Sequence, residues 1–171
     1  IQRWAPDGRW LASYGTSGTG AGEFGFAQCV GRDAAGNVYI CDGVRNRIQR
    51  LAPDGTFSIW LAGLNDPRDI AIVGDTVYVV DTGNREVKRY NRAGIAQGVP
   101  ITGFGSPSVP FSKPLDVALD ADGNLYVADL PDTGHGCVSK FNSAGAFLAQ
   151  ACTFSVNEQT EPLQPTQVDI G

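Results

Sequence analysis

Short apolar segments of strand length follow one another along the whole chain, separated by clusters of Gly, Pro, Asp and Asn. Their residues are mostly β-branched or aromatic, and none of the segments has the 3.6-residue period of an amphipathic helix. Asp33–Asn37 and Asp120–Asn124 suit three-residue hairpin loops in which Gly occupies the left-handed position. The pattern therefore predicts an all-β fold built from antiparallel hairpins.

Three short motifs recur in a fixed order, which indicates an internal repeat. They are an apolar-x-basic segment leading into a Gly-containing turn (residues 1–8, 48–55, 87–94 and 138–145), a Tyr-containing segment ending in Asp (36–42, 75–81 and 123–129), and a Pro-initiated segment (67–72, 114–119 and 165–170). Each repeat holds four strand-like segments within roughly 40–50 residues, which is typical of a β-propeller blade. The sequence therefore predicts a propeller of four-stranded antiparallel blades.

The motifs Pro-x-Asp-Ile/Val-Ala, Gly-Asn-x-Tyr-Val-x-Asp, Asn-Arg-Ile-Gln-Arg and Pro-Asp-Gly resemble the NHL repeat. The linker Gly15–Phe24 also resembles the connection between NHL blades, and the similarity covers essentially the whole chain. The resemblance implies a propeller that is six-bladed when complete. Functions within the family vary widely, so the fold alone does not settle the function.

The repeats divide the chain into roughly three and a half blades. The predicted units are the end of a blade plus a linker (1–24), three blades (26–63, 66–105 and 113–154) and the first strand of a further blade (165–171). Joining the two ends would omit a second strand. We therefore expect these residues to belong to a longer polypeptide or to be completed by another chain, through self-association or in a filament.

The four cysteines fall into two predicted cross-strand pairs. A three-residue loop between Asp33 and Asn37 places Cys29 directly opposite Cys41, with Cα atoms about 4.5–5.5 Å apart, which suits a disulfide. Cys137 and Cys152 are one residue out of register, so their pairing requires a β-bulge. Two such bonds would place the protein outside the cytoplasm, in an extracellular or periplasmic compartment. The alternative is four free buried thiols.

Asp69 and Asp116 occupy equivalent positions on the innermost strands of successive blades. Innermost strands line the central channel of a propeller, where facing carboxylates could bind a hard cation such as Ca²⁺ through oxygen ligands. The equivalent positions elsewhere carry Cys29 and Gln167, so the ring is not uniformly acidic. Otherwise the sequence predicts no cofactor.

Other candidate residues have structural explanations. Asp42, Asp81 and Asp129 each end a second strand, where we expect the carboxylate to accept backbone N–H groups of the loop that follows. The Gly15–Gly22 run lacks the Lys-Ser/Thr of a phosphate-binding loop, so it is interpreted as a flexible inter-blade link. His135 is the single histidine and is expected to be an exposed loop residue.

Recurring aromatic positions are interpreted as inter-blade core. They are Tyr39, Tyr78 and Tyr126 at one position, and Trp4, Leu51, Tyr90 and Phe141 at another. Trp10 and Trp60 lie on predicted outer strands and are expected to be packed.

Charge and hydropathy narrow the functional classes. The net charge is −5, from 18 acidic and 13 basic residues, and the basic residues are spread along the repeats, which disfavours nucleic-acid binding. Apolar runs such as Ile70–Val73 are too short to cross a membrane.

We expect a non-catalytic, extracytoplasmic binding or scaffold module for a protein or another extracellular ligand. Two alternatives remain: part of a metal-dependent propeller lyase or hydrolase, because peptidyl-hydroxyglycine lyases and streptogramin lyases resemble this fold, and a subunit of an extracellular assembly.

Overall fold

The computed structural model describes residues 1–105, 108–130 and 136–152. The predictions for residues 165–171, for His135 and for Gln167 fall outside these residues. The strands are β1 (Gln2–Trp4), β2 (Trp10–Ser13), β3 (Thr16–Ser17), β4 (Glu23–Phe24), β5 (Ala27–Arg32), β6 (Val38–Asp42), β7 (Arg47–Leu51), β8 (Phe57–Ala62), β9 (Pro67–Val73), β10 (Thr76–Asp81), β11 (Glu86–Asn91), β12 (Gly103–Phe104), β13 (Val109–Pro110), β14 (Pro114–Leu119), β15 (Leu125–Asp129), β16 (Cys137–Phe141) and β17 (Phe147–Cys152). Single 3₁₀ turns, Gly43–Arg45 and Thr82–Asn84, follow β6 and β10.

Two complete blades have the sheet orders β5-β6-β7-β8 and β14-β15-β16-β17, with every neighbouring pair antiparallel. The blade between them has the strands β9, β10 and β11. Its first strand, β9, lies beside both β5 and β14. The first strands are therefore adjacent to one another, as expected for the inner strands of a propeller.

The middle blade differs from the predicted four-stranded pattern, because its fourth segment forms isolated bridges, Val87 with Ile101 and Tyr90 with Ala96, and no continuous strand. Pro100 has no backbone N–H to donate to a ladder, and Gly98 adopts a φ of 68° that breaks the extended backbone. The segment keeps its place along β11 through the reciprocal hydrogen bonds between Val87 and Ile101, 2.8 and 2.9 Å long.

The core lies between blades. One cluster joins the first complete blade to the middle blade through Tyr39, Ile48, Ile70, Val77 and Val79, and another joins the middle blade to the last through Tyr78, Val80, Phe111, Val117 and Phe141. Trp60 packs edge-on against Tyr39 and Tyr90, and its Nε1 donates to the Arg92 carbonyl at 2.9 Å.

Trp4 and Trp10 do not follow the packing prediction, because they are 54% and 52% exposed. Both lie on the β1–β2 hairpin, which has no further strand paired to it in the described residues. Leu51, at the position equivalent to Trp4, is buried because β7 has β6 on one side and β8 on the other.

The Gly15–Gly22 segment, predicted as a flexible link, is held by hydrogen bonds: the Thr16 amide donates to the Gly22 carbonyl at 3.0 Å, and β3 pairs in parallel with β4, which follows the segment. The buried Arg47 guanidinium donates to the carbonyls of Thr19, Gly20 and Glu23 at 2.6–3.0 Å. Gln49 donates to the Glu23 carbonyl at 2.7 Å and accepts from the Gly22 amide at 2.9 Å. Two side chains of β7 therefore fix the linker to the blade that follows it.

Because strands alternate in direction, the blades have two distinct ends. We call the end with the inter-blade linkers and the 3₁₀ turns the linker end (residues 24–28, 43–46, 64–68, 82–85 and 111–115). We call the opposite end the hairpin end (residues 5–9, 33–37, 52–56, 91–95 and 120–124). Within the described residues, no helix has the length and apolar character needed to cross a membrane.

Candidate functional site

Each of the three inner strands carries a β-bulge at the same place, where it leaves the linker end. The cross-strand register skips Gln28 in β5, Arg68 in β9 and Leu115 in β14. A bulge adds one residue to one strand of a pair and changes the direction of its side chain. The channel mouth is therefore bordered by a repeated backbone feature that presents an amide, a guanidinium and an aliphatic side chain in successive blades.

Asp66 connects two of these bulges. Its Oδ1 accepts from Gln28 Nε2 at 3.2 Å, and its Oδ2 accepts from Arg68 Nε at 2.9 Å. The Asp66 amide donates to Asn46 Oδ1 at 2.9 Å. Asp66 has a φ of 50°, a left-handed conformation that costs free energy in a residue other than Gly. Side chains from two blades thus form one polar network at the channel mouth.

Asp69 and Asp116 are brought together one residue beyond the bulges. The amide nitrogen of Val117 lies 3.0 Å from Asp69 Oδ2 and 3.0 Å from Asp116 Oδ1. Burial, reinforced by the hydrogen bond with Asp116, raises the pKa of Asp69 to about 7. Asp69 is therefore partly protonated near neutral pH and can donate a hydrogen bond to Asp116.

The third equivalent position carries Cys29, whose sulfur is bonded to Cys41 across β5 and β6, with the Cα atoms 5.0 Å apart. The channel ring therefore supplies two carboxylates and a disulfide in successive blades. Ca²⁺ takes six to eight oxygen ligands, and the described residues contain no group of three or more potential metal-ligating side chains. The cation site at Asp69 and Asp116 stays a prediction.

Cys137 and Cys152 form a second disulfide, with Cα atoms 4.0 Å apart. The register of β16 and β17 shifts between Lys140 and Phe141. This bulge aligns the two cysteines directly, although the hairpin turn by itself leaves them one residue out of register.

The carboxylates that end the second strands have different partners from those predicted. Asp42 Oδ1 accepts from the amides of Gly25 and Phe26, at 3.0 and 3.1 Å. Asp81 accepts from the Asn65 amide, and Asp129 accepts from the amides of Ser112 and Lys113. These amides belong to the segment that leads into the blade, not to the loop that follows the second strand. The carboxylates therefore hold the linkers in place at the linker end.

Sequence reasoning identified Asp69 and Asp116 but missed Gln28, Arg68, Leu115 and Asp66. The missed bulge residues all occupy the variable position of the Pro-x-Asp motif or its equivalent, immediately before the channel residue. The chemistry of this position differs from blade to blade, although its neighbours are repeated. That difference could have identified these residues from the sequence.

Antiparallel blades of three or four strands, packed with their first strands side by side, define a β-propeller. A family model described as the NHL repeat matches residues 111–141, which confirms the NHL resemblance. No curated protein matches the chain's sequence.

Solved structures show the same fold. A catalytically inactive virginiamycin B lyase from Staphylococcus aureus, in complex with quinupristin, is 16% identical with a TM-score of 0.63, covering 86% of this chain and 46% of that chain. A streptogramin B lyase is 16% identical with a TM-score of 0.64, over 88% of this chain and 46% of that chain. A nidogen/laminin complex is 20% identical with a TM-score of 0.61, over 72% of this chain and 48% of that chain. The chain thus spans a little under half the length of these structures.

Proposed function

We propose that the protein is an extracytoplasmic binding module that recognises its ligand, a protein or another extracellular molecule, at the linker end of an NHL-type β-propeller. The observation that carries the proposal is the repeated bulge, which places Gln28, Arg68 and Leu115 around one channel mouth with three different chemistries. Bulges concentrate where a sheet directs side chains toward a ligand. A rigid frame with variable side chains at one end is the arrangement expected of a recognition surface.

The two disulfides support a location outside the cytoplasm, because such bonds persist in oxidising compartments. The likeness to a nidogen/laminin complex supports a protein ligand, since that structure contains a propeller in a protein complex. Both arguments bear on the class of function and not on a particular partner.

Site-specific photocrosslinking tests the proposal. A photoreactive phenylalanine analogue at Leu115 samples the linker end, and the same analogue at exposed Pro53 samples the hairpin end. Against the secreted proteins of the source cells, we expect crosslinked products from Leu115 and none from Pro53. Products from Pro53 alone would overturn the proposal.

The carboxylate pair favours a second candidate, an enzyme whose remaining catalytic groups lie elsewhere in the whole protein. A carboxyl group with a pKa of about 7 is suited to proton transfer at neutral pH. The structural likeness to streptogramin lyases is compatible with this role. Hydrolysis or elimination by the full-length protein that is lost in Asp69→Asn would favour the enzyme over the binding module.

A further inference from the structure

The last blade differs from the first complete blade where its third strand begins at the linker end. In the first complete blade, Arg47 lies opposite Asp42, the last residue of the second strand, and the two side chains form an ion pair of 3.1 Å. In the last blade the residue opposite Asp129 is Cys137, which is bonded to Cys152 on β17. A disulfide therefore occupies the position at which another blade has an ion pair.

The carboxylate of Asp129 has no cationic partner within the residues that the structure describes. In the middle blade, by contrast, Asp81 pairs with Lys88 at 2.7 Å. Asp129 accepts from the amides of Ser112 and Lys113 at 2.6–3.1 Å, and these hydrogen bonds fix the linker that enters the last blade. The strand beside Asp129 is held at this end by the disulfide and not by an ion pair to the carboxylate.

The Cys137–Cys152 bond lies at the edge of its blade. β17 is the outermost strand, pairs with β16 alone, and both cysteines are partly exposed. In thiol–disulfide exchange a thiolate attacks one sulfur atom and the other sulfur leaves as a thiolate, so the reaction depends on access and on the stability of the leaving group. Either sulfur of this pair can be attacked, and either can leave, without entering the core.

The Cys29–Cys41 bond is better protected. Cys29 is partly exposed, but Cys41 is 0% exposed and belongs to the core cluster that contains Tyr39. Attack on the Cys29 sulfur would leave the Cys41 thiolate among apolar side chains, where burial disfavours the charged form. β6 also lies between β5 and β7, so this bond is not at the edge of the sheet. A reductant should therefore open the disulfide of the last blade first.

We propose that the Cys137–Cys152 disulfide is a reducible bond that regulates ligand binding at the linker end of the last blade. The inference rests on the proposed binding function and names its regulation. The thiolate of a dithiol reductant attacks one sulfur and forms a mixed disulfide, while the other cysteine leaves as a thiolate and takes up a proton. The second thiolate of the reductant then displaces the first cysteine, which is also protonated. Two electrons pass to the protein, and the reductant becomes a disulfide.

The effect reaches the binding surface through Asp129. Reduction leaves the Cys137 end of β16 without its covalent link to the outer strand, and Asp129 is the cross-strand neighbour of Cys137. Asp129 holds the amides of Ser112 and Lys113, which precede the bulge residue Leu115. These amides should open more often in the reduced protein, and Leu115 should then be less well positioned for a ligand.

Other contacts limit this effect to the linker end. The hydrogen bond from Thr82 to the Pro114 carbonyl, 2.6 Å long, does not involve Asp129. At the opposite end of β17, Phe147 packs against Phe104 and Phe141. Reduction should therefore loosen the linker without unfolding the blade.

Differential alkylation with peptide mass mapping tests the first step. When the whole native protein is treated with dithiothreitol, we expect Cys137 and Cys152 to become alkylated at least about tenfold faster than Cys29 and Cys41. Equal rates, or faster reduction of Cys29–Cys41, would show that the edge disulfide is not the reducible one.

Hydrogen exchange tests the structural consequence without a ligand. After selective reduction, the amides of Ser112 and Lys113 should exchange about tenfold faster. The amides of Gly25 and Phe26 are the matched control, because Asp42 holds them in the first complete blade, and their exchange should not change. Unchanged exchange at Ser112 and Lys113 would overturn the proposed regulation.

Photocrosslinking from Leu115 tests the effect on binding. We expect the yield of crosslinked products to fall by about fivefold on reduction and to recover on reoxidation. C137A/C152A should give the low yield under both conditions, and reversal in the parent protein provides the same test if this variant does not fold. Equal yields before and after reduction would remove the regulation and leave the binding function. If the oxidised protein gives no crosslinks at Leu115, both are wrong.

Discussion

Asp69 and Asp116, on the first strands of adjacent blades, accept the same backbone hydrogen: Val117 N lies 3.0 Å from an oxygen of each. A single amide cannot neutralise two carboxylates, and burial raises the pKa of Asp69 to about 7. Near neutral pH the Asp69 carboxyl group is therefore partly protonated, and its hydrogen bond with Asp116 links the two blades at the channel.

The first prediction follows from this raised pKa. The folded protein binds the Asp69 proton more tightly than the unfolded chain, whose pKa is near 3.8. The free energy of unfolding should therefore fall as pH rises from about 4 through 7, by roughly 1 kcal/mol because the partly exposed pair is screened by solvent. Asp69→Asn keeps a hydrogen-bond donor toward Asp116 and should abolish this part of the pH dependence.

Melting temperatures at pH 5 and pH 8 provide the measurement. Asp69→Asn should be more stable than the parent at pH 8, while Asp122→Asn, an exposed carboxylate at the hairpin end, should follow the parent at both pH values. A parent protein that becomes more stable between pH 5 and pH 8, in a manner abolished by Asp69→Asn, would contradict the assignment.

The second prediction concerns the disulfides, which close segments with sequence separations of 12 and 15 residues. Replacing either pair with alanines should lower the free energy of unfolding by about 3 kcal/mol, because the unfolded chain regains conformational freedom. Urea unfolding of C29A/C41A and C137A/C152A measures each contribution. Alkylation of all four cysteines in the unreduced, denatured protein would show that the bonds do not form.

The third prediction concerns the hydrogen bonds by which Arg47 holds the linker. Arg47→Met should destabilise the fold by about 3 kcal/mol, because it leaves the buried Asp42 carboxylate without its cation and frees the carbonyls of Thr19, Gly20 and Glu23. Proteolysis should then cleave first within residues 15–24. Arg9→Met removes an exposed arginine and is the control. If Arg47→Met leaves stability and proteolysis unchanged, the Arg47 side chain does not stabilise the linker.

Local chemistry made the hairpins and the cysteine pairs predictable from the sequence. Asp33 and Asn37 close their loop through an amide hydrogen bond of 3.0 Å, with Gly36 at a φ of 90°. Once that turn is known, the two-residue period of a strand places Cys29 opposite Cys41. Because the motifs repeat, the strand positions of one blade predict those of the other blades. They also predict that Asp69 and Asp116 occupy equivalent positions on their inner strands.

Contacts between distant segments were not predictable in this way. The three inner bulges lie between residues whose spacing gives no local turn signal, and Arg47 binds carbonyls more than twenty residues earlier in the chain. The exposure of Trp4 and Trp10 likewise depends on which strands lie beside β1, not on their own sequence. The sequence therefore predicted the channel carboxylates Asp69 and Asp116 of the candidate site. It did not predict the bulge residues Gln28, Arg68 and Leu115.

The last prediction concerns the contact between the middle and last blades. Thr82 is buried, and its Oγ1 donates to the Pro114 carbonyl at 2.6 Å. Thr82→Val keeps the shape but removes the donor, so the free energy of unfolding should fall by about 1–2 kcal/mol. Thr82→Ser keeps the hydroxyl and should lose less.

Urea unfolding of the three proteins should therefore rank the parent first, Thr82→Ser second and Thr82→Val last. The preceding blade explains why this hydroxyl contact is not repeated: Gly43 occupies the equivalent position, and a Cβ atom there would meet the Gln28 side chain and lie 2.9 Å from Asp66 Oδ1. That junction is joined by the Gln28–Asp66 hydrogen bond instead. If Thr82→Val is as stable as the parent, the hydroxyl does not stabilise the inter-blade contact, and apolar packing alone joins these two blades.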